Sequence, residues 1–349
     1  MKYKISNDDI LKPENYFHKF DLRNNQVSFL KMDRDSFKKS PFLDHRIQCA
    51  SITSTSIDLT DSCIESLFST NHHYTCNFIF HTAYCCSTLL SRAVDISNKT
   101  MVYREPVTLH QLAVMQRRKE EFPEQHINSW DKYFHFTLKM LSKTWSKNEI
   151  SIIKPTDSCN NIIPQIMTVS ENSKAILLYS KLKDFIASNL KSEGRRKFLK
   201  NFVMRSTRDA KKYSIFNSIN PETLDDAKSA TFVWMVSIML YLDAIDKSAH
   251  CKTLDAEKLL DDPFNKLKLV SKHLRINLTD NEIEDILSSP SWNKHAKNTN
   301  DVTYSNADRQ KEKINVLKQN ANQVEEAIKW SQSIFNWEDA LLKLEKVAL

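Results

Sequence analysis

The stretch "FIFHTAYCCSTLLSRAVD", Phe78 to Asp95, decides how the rest of the chain is read. A short apolar run ends in a compact polar loop, and the loop opens into a run with helical spacing, so the segment predicts strand, loop and helix. Such a join aims backbone N–H groups at one point beyond the strand, which suits an anion. Ser87 and Thr88 add hydroxyl donors where the helix begins, although this segment alone favours the plainer reading of Ser87 as an N-cap and Thr88 as its neighbour. The loop holds no glycine. Gly194 is the only glycine in 349 residues, so every backbone position with positive φ must use Asn, Asp or a strained residue. Each such position costs about 1 kcal/mol or more.

From Cys76 onward, short apolar runs alternate with helical stretches. "CNFIFHT", "TMVYREP", "ISIIKPT" and "KAILLYS" read as strands, and "STLLSRAVDIS", "TLHQLAVMQRR", "WDKYFHFTLKMLSKTW", "NNIIPQIMTV" and "KLKDFIASNLK" as helices. This alternation implies right-handed crossovers and an α/β fold, a parallel sheet flanked by helices. Beyond Leu190 the pattern is helical almost throughout. "SATFVWMVSIMLYLDAI" is apolar on nearly all faces and predicts a buried helix, and the charged carboxyl-terminal stretch predicts a terminal helix pair. Residues 1–75 read as an N-terminal segment of short strands and turns packing on a main domain of residues 76–349. Pieces such as "QVSFLKM" and "SPFLDHRI" there carry no recognisable chemistry.

The formal charge of +7 suits an anionic ligand, but the surplus is scattered and its aromatic interleaving is thin, so nucleic acid is not expected. "RRKFLKNFVMRSTRDAKK" reads either as a solvated helical face or as cations closing over phosphates. The amino terminus has no apolar leader and "FVWMVSIMLYL" is too short for a bilayer, so no membrane span and a cytoplasmic location are expected. Seven cysteines, with Cys85 and Cys86 adjacent, favour reduced thiols. Cys63, His72, His73 and Cys76 match no common zinc spacing, and no metal is expected. Cys85 and Cys86 read as packing or as a reactive pair near a helix start, and His81 as structural or as a ligand contact.

Read in order, these segments resemble the sulfotransferases that use phosphoadenosine phosphosulfate (PAPS). That family places after its first strand a loop of proline, a basic residue, serine, glycine, a hydroxyl residue, threonine and two apolar residues. "AYCCSTLL", Ala83 to Leu90, aligns with it, with Tyr84 at the basic position and Cys86 at the glycine. Bacterial members with loops of the "HTxxCxSTLL" type and a later Glu-Pro pair are most similar. Their resemblance implies a P-loop NTPase-like sheet with a mainly helical C-terminal half.

The resemblance also implies roles. Tyr84, Cys85, Cys86, Ser87 and Thr88 would hold the donor's bridging phosphate. Glu105, about seventeen residues beyond Thr88, falls where some members carry the catalytic base; alone, it reads as a surface glutamate paired with Arg104. Lys154 aligns with the lysine that contacts the moving sulfuryl group, while Thr156 falls where cytosolic members have histidine. Alone, Lys154 reads as a solvated strand-end lysine. Ser188 aligns with the serine that binds the ribose phosphate and Asp184 with the aspartate of the preceding turn. Ser180 stands where the family has arginine, so charge there would come from Lys181, Lys183 or "GRRKF". Asp262 with Pro263 reads as a helix-starting turn, and "SPSWNKHAK" with Arg309 resembles the bacterial tail.

The implied function is transfer of a sulfuryl group from PAPS, without a metal, to a hydroxyl or amine of a small-molecule or glycan acceptor. Two alternatives stand beside it. A small-molecule kinase needs a lysine inside the loop, which "HTAYCCST" lacks. A non-catalytic relative that binds the nucleotide fits the missing basic residue and Ser180.

Overall fold

The computed structural model describes residues 9–49, 53–68, 74–170, 172–293 and 306–349. The chain divides into two compact units. One is drawn from Met1–Phe80, Leu90–Ala175 and Ser271–Asn277, the other from His81–Leu89, Ile176–Val270 and Leu278–Leu349.

In the first unit, β1 (Asn15–Asp21), β2 (Gln26–Lys31) and β3 (Ser54–Asp58) form an antiparallel sheet in the order β1-β2-β3. The tight turn between β1 and β2 closes on Asn25, whose φ of 53° is tolerated because an Asn side chain can bond locally in that conformation. Phe17 and Phe29 face each other across the ladder and are fully buried. Phe17, Phe20 and Phe136 pack edge to face or nearly so, which fixes the sheet on helix Trp130–Leu141. Burying three such rings contributes several kcal/mol, at about 2 kcal/mol each.

The main sheet comprises β4 (Cys76–His81), β5 (Thr100–Arg104), β6 (Ile150–Lys154), β7 (Ala175–Tyr179) and β8 (Cys251–Asp255), in the order β5-β6-β4-β7-β8. The sheet is parallel, as the crossover pattern predicts. Every residue of β4, β5 and β7 is buried, and burial on both faces is why these strands read as unbroken apolar runs rather than alternating ones. The carboxyl end of β4 is a switch point, since the next strand lies to one side of it and β7 to the other.

The second unit is built on helix Asp226–Lys247. Asp225 caps it by accepting from the Lys228 amide at 2.8 Å. Trp234 Nε1 donates to the Ser180 carbonyl at 2.9 Å and Tyr241 Oη to the Leu178 carbonyl at 3.1 Å, so the helix is tied to β7 by polar bonds as well as by packing. The apolar stretch is embedded in a 22-residue helix that could span a bilayer by length and composition, yet 72% of its most apolar window is buried. It serves as a core helix.

Two features of this half differ from the expected pattern. β8 is a strand inside a region read as helical: only five residues long, with an interior lysine, it gives too short a signal to stand out. Its edge is covered by the chain's own last residues, where the Thr253 amide donates to the Val347 carbonyl and the Leu349 amide to the Thr253 carbonyl. The carboxyl-terminal stretch forms three helices, Asn306–Gln319, Ala321–Gln332 and Trp337–Lys346, with the last capped by Asn336, which accepts from the Asp339 amide at 3.1 Å.

Candidate functional site

In the second unit, the loop after β4 is held from below by β7. The Thr82 amide donates to the Leu178 carbonyl at 3.2 Å, Cys85 Sγ donates to the same carbonyl at 3.6 Å, and the Ser180 amide donates to Thr82 Oγ1 at 3.4 Å. His81 Nδ1 accepts from the Ala83 amide at 3.1 Å, a structural role. Ala83, Tyr84 and Cys86 all have left-handed backbone, with φ of 65°, 52° and 61°. Side chains with a Cβ cost about 1–2 kcal/mol each there. Helix Ser87–Ala93 follows. The Ser87 and Thr88 side chains are buried, at 6% and 3% exposure, whereas Tyr84 and Cys86 are half-buried.

Tyr84 packs against helix Glu193–Ala210. Its ring centroid lies 6.2 Å from that of Phe202, and the Arg195 guanidinium carbon lies 4.5 Å from the Tyr84 centroid. Arg195 Nη1 also donates to the Ser188 carbonyl at 2.7 Å, so Ser188, half-buried on helix Leu182–Leu190, belongs to the same neighbourhood. The rest of the basic stretch is mostly engaged elsewhere. Arg196 binds Asp226 and Asn320, both at 3.0 Å, and Lys212 binds Asp243 at 2.6 Å.

A second cluster in this unit surrounds Glu257. Its Oε2 accepts from Arg309 at 2.6 Å, Gln310 at 2.7 Å and Lys313 at 3.2 Å, and Lys313 also pairs with Asp184 at 3.0 Å. Burial raises the Glu257 carboxyl, but the Arg309 bond and the charges of Arg309 and Lys313 outweigh it and hold the group at about 2. Glu257 and Asp184 therefore hold helix Asn306–Gln319 in place through its Arg309 and Lys313. Lys181 pairs with buried Asp255 at 3.7 Å.

In the first unit, Glu105 and Lys154 come together. Their β-strands are in register at Arg104 and Lys154, and the Glu105 amide donates to the Lys154 carbonyl at 2.6 Å. Lys154 Nζ donates to Glu105 Oε1 in a tight ion pair. Glu105 has left-handed backbone, with a φ of 54°. Lys154 is 1% exposed, so the solvated-lysine alternative does not hold. Nor is Glu105 the partner of Arg104, which is buried on Asp95 at 2.8 Å and on the carbonyls of Phe37 and Lys38.

Two residues in this pocket of charge were not anticipated. Arg46 Nη2 lies 3.6 Å from Glu105 Oε2, and the Phe42 ring carries Arg46 at 3.8 Å and Lys154 at 5.5 Å from its centroid. Both belong to "SPFLDHRI". Asp44 holds Arg46 from behind through three bonds; burial works to raise its carboxyl, but these bonds and the Arg46 charge lower it overall. The Leu43 amide donates to the Arg104 carbonyl at 2.7 Å, docking the segment beside the base candidate. A strand-like signal followed by an Asp-His-Arg turn was the only trace in the sequence.

Thr156 precedes the short 3-10 helix after β6 without capping it, and its hydroxyl donates to Asp157 Oδ1 at 3.2 Å. Cys49, Cys76, Cys85, Cys86, Cys159 and Cys251 are free thiols. Among the described residues, no group of three or more His, Cys, Asp or Glu is placed to hold a metal. His72, His73 and residues 294–297 of "SPSWNKHAK" lie outside the described residues, as does the Cys63 side chain.

No protein-family model matches the chain, and no curated protein does. Among solved structures it is similar to the sulfotransferase domain of the Synechococcus PCC 7002 olefin synthase, at 16% identity over 72% of this chain and 96% of that one, with a TM-score of 0.38. The sulfotransferase domain from the curacin biosynthetic pathway shares 14% identity over 72% of this chain and 99% of that one, with a TM-score of 0.40. A sulfotransferase from Alicyclobacillus acidocaldarius shares 12% identity over 73% of this chain and 96% of that one, with a TM-score of 0.34. Likeness at this level carries no argument about what the present chain binds or transfers.

Proposed function

We propose that this protein is a sulfotransferase that moves a sulfuryl group from PAPS to a hydroxyl or amine of a small-molecule or glycan acceptor. One observation carries the reading. Eight non-glycine residues among those described have left-handed backbone, and four of them are Ala83, Tyr84, Cys86 and Glu105. Strain of this kind persists where a function requires the geometry, and here it falls on the loop and base positions implied by the motif resemblance.

In this reading the amides of Tyr84 to Ser87, with the Ser87 and Thr88 hydroxyls, bind the phosphate next to the sulfuryl group. Ser188 and Ser180 belong to the nucleotide end. The acceptor oxygen or nitrogen forms a bond to sulfur as the bond from sulfur to the phosphate oxygen breaks. The acceptor proton passes to the Glu105 carboxylate, and adenosine 3′,5′-bisphosphate leaves. Lys154 offsets charge on the sulfuryl oxygens, and Arg46 adds a second cation beside Glu105. Catalysis then consists of positioning and electrostatic stabilisation. PAPS is the only co-substrate required.

A second reading is a nucleotide-binding relative without transfer. The observation that favours it is the Lys154–Glu105 pair, in which candidate base and candidate electrophile occupy one another. Calorimetric titration with adenosine 3′,5′-bisphosphate, with PAPS and with ATP plus magnesium tests the donor. Heat with the first two alone is expected; heat only with ATP, or with none, overturns the proposal. With binding established, release of the bisphosphate in the presence of an acceptor library separates transfer from binding alone.

A further inference from the structure

Tyr84 stands at the loop position where the resembling family carries a basic residue, and the fold brings a cation to that position from another part of the chain. The Arg195 guanidinium lies over the Tyr84 ring, 4.5 Å from its centroid, within the range of a cation–π contact. The ring is held there by its left-handed backbone and by Phe202 on the same helix as Arg195. Arg195 Nη1 donates to the Ser188 carbonyl. One guanidinium thus touches both the loop and helix Leu182–Leu190.

A guanidinium has five N–H donors in a rigid fork suited to phosphate. Ser188 uses one of them, and among the described residues no other bond is made by this guanidinium. Arg195 is half-buried, so the remaining donors are not wholly covered. Four nearby cations are engaged elsewhere: Arg196 with Asp226 and Asn320, Lys197 with Glu193, Lys313 with Glu257 and Asp184, and Arg309 with Glu257.

We infer that Arg195 is the phosphate-binding cation of this glycine-free loop, and that Tyr84 positions it through its aromatic face. The inference rests on the donor reading above. Its binding group would be the phosphate of an adenosine nucleotide, contacted by the donors of Arg195 that face away from Ser188.

Titration of adenosine 3′,5′-bisphosphate into the wild type, Arg195→Gln and Arg195→Gln/Tyr84→Lys tests it, with melting temperatures recorded for each. Gln retains a donor for Ser188 and removes the charge. Affinity is expected to fall at least about tenfold in Arg195→Gln, or 1.4 kcal/mol. Its dependence on salt should become shallower, and the added lysine should restore affinity to within about threefold of the wild type. Unchanged affinity in Arg195→Gln overturns the inference and leaves the donor reading intact. A loss that comes with a lower melting temperature and is not restored by Tyr84→Lys makes Arg195 a structural residue and also overturns it. No binding by the wild type removes both readings together.

Discussion

Cys86 has a φ of 61° and a half-buried side chain, so its conformation is costly and its packing modest. Cys86→Gly is expected to raise unfolding free energy by about 0.5–1 kcal/mol in urea titrations, the backbone relief exceeding the lost thiol contacts. Glu105 behaves differently despite a similar φ, because it neutralises a lysine that is 1% exposed. Glu105→Gln should destabilise by about 3 kcal/mol by leaving that ammonium unpaired, and adding Lys154→Met should recover most of the loss. A double-mutant cycle by chemical denaturation measures the coupling, and additive losses would refute it. The same Glu105→Gln variant should lose turnover while retaining bisphosphate affinity within about tenfold.

At the scale of elements, the glycine is in the wrong place for its usual purpose. Gly194 lies in the first turn of helix Glu193–Ala210, where no positive φ is needed and a Cβ would meet nothing within 4 Å. Gly194→Ala should therefore stabilise by about 0.5 kcal/mol, raising the urea midpoint without changing the slope. Elements with strong local signals were legible from sequence: β4, β5, β6 and β7 are apolar runs between helices, and the core helix is apolar all round. β8 was not, because five residues between helices provide too little pattern. The contacts of Arg46 and Phe42 with the Glu105 pair were also invisible, since they join segments far apart in the chain and depend on tertiary docking. Arg195 was visible only as one member of a basic run; its position over Tyr84 follows from how helix Glu193–Ala210 meets the loop.

For the whole molecule, stability should depend on pH through groups that the proposed chemistry does not use. Lys143 is buried and donates to the carbonyls of Ile10 at 3.1 Å and Asn15 at 2.5 Å. Burial pushes its ammonium from the ordinary 10.5 down to about 7, against a smaller opposing effect of Glu14. Between these values the unfolded chain binds more protons than the folded one, so stability attributable to Lys143 rises with pH from about 7 to about 10.5. Below pH 7 its penalty is constant. Unfolding free energies at pH 7.5 and 9.5 should increase more for the wild type than for Lys143→Gln, and equal increases would refute the assignment.

The left-handed residues bear on the denatured ensemble as well as on the native loop. A chain that turns on Ala83, Tyr84, Cys86, Glu105 and Arg275 instead of glycine begins with fewer accessible backbone states, so it surrenders less configurational freedom when it condenses. Part of the local strain is offset before folding starts. Placing glycines throughout the loop would thus relieve the native strain and, at the same time, enlarge the disordered population against which the loop competes, so each exchange gains less than the strain it removes.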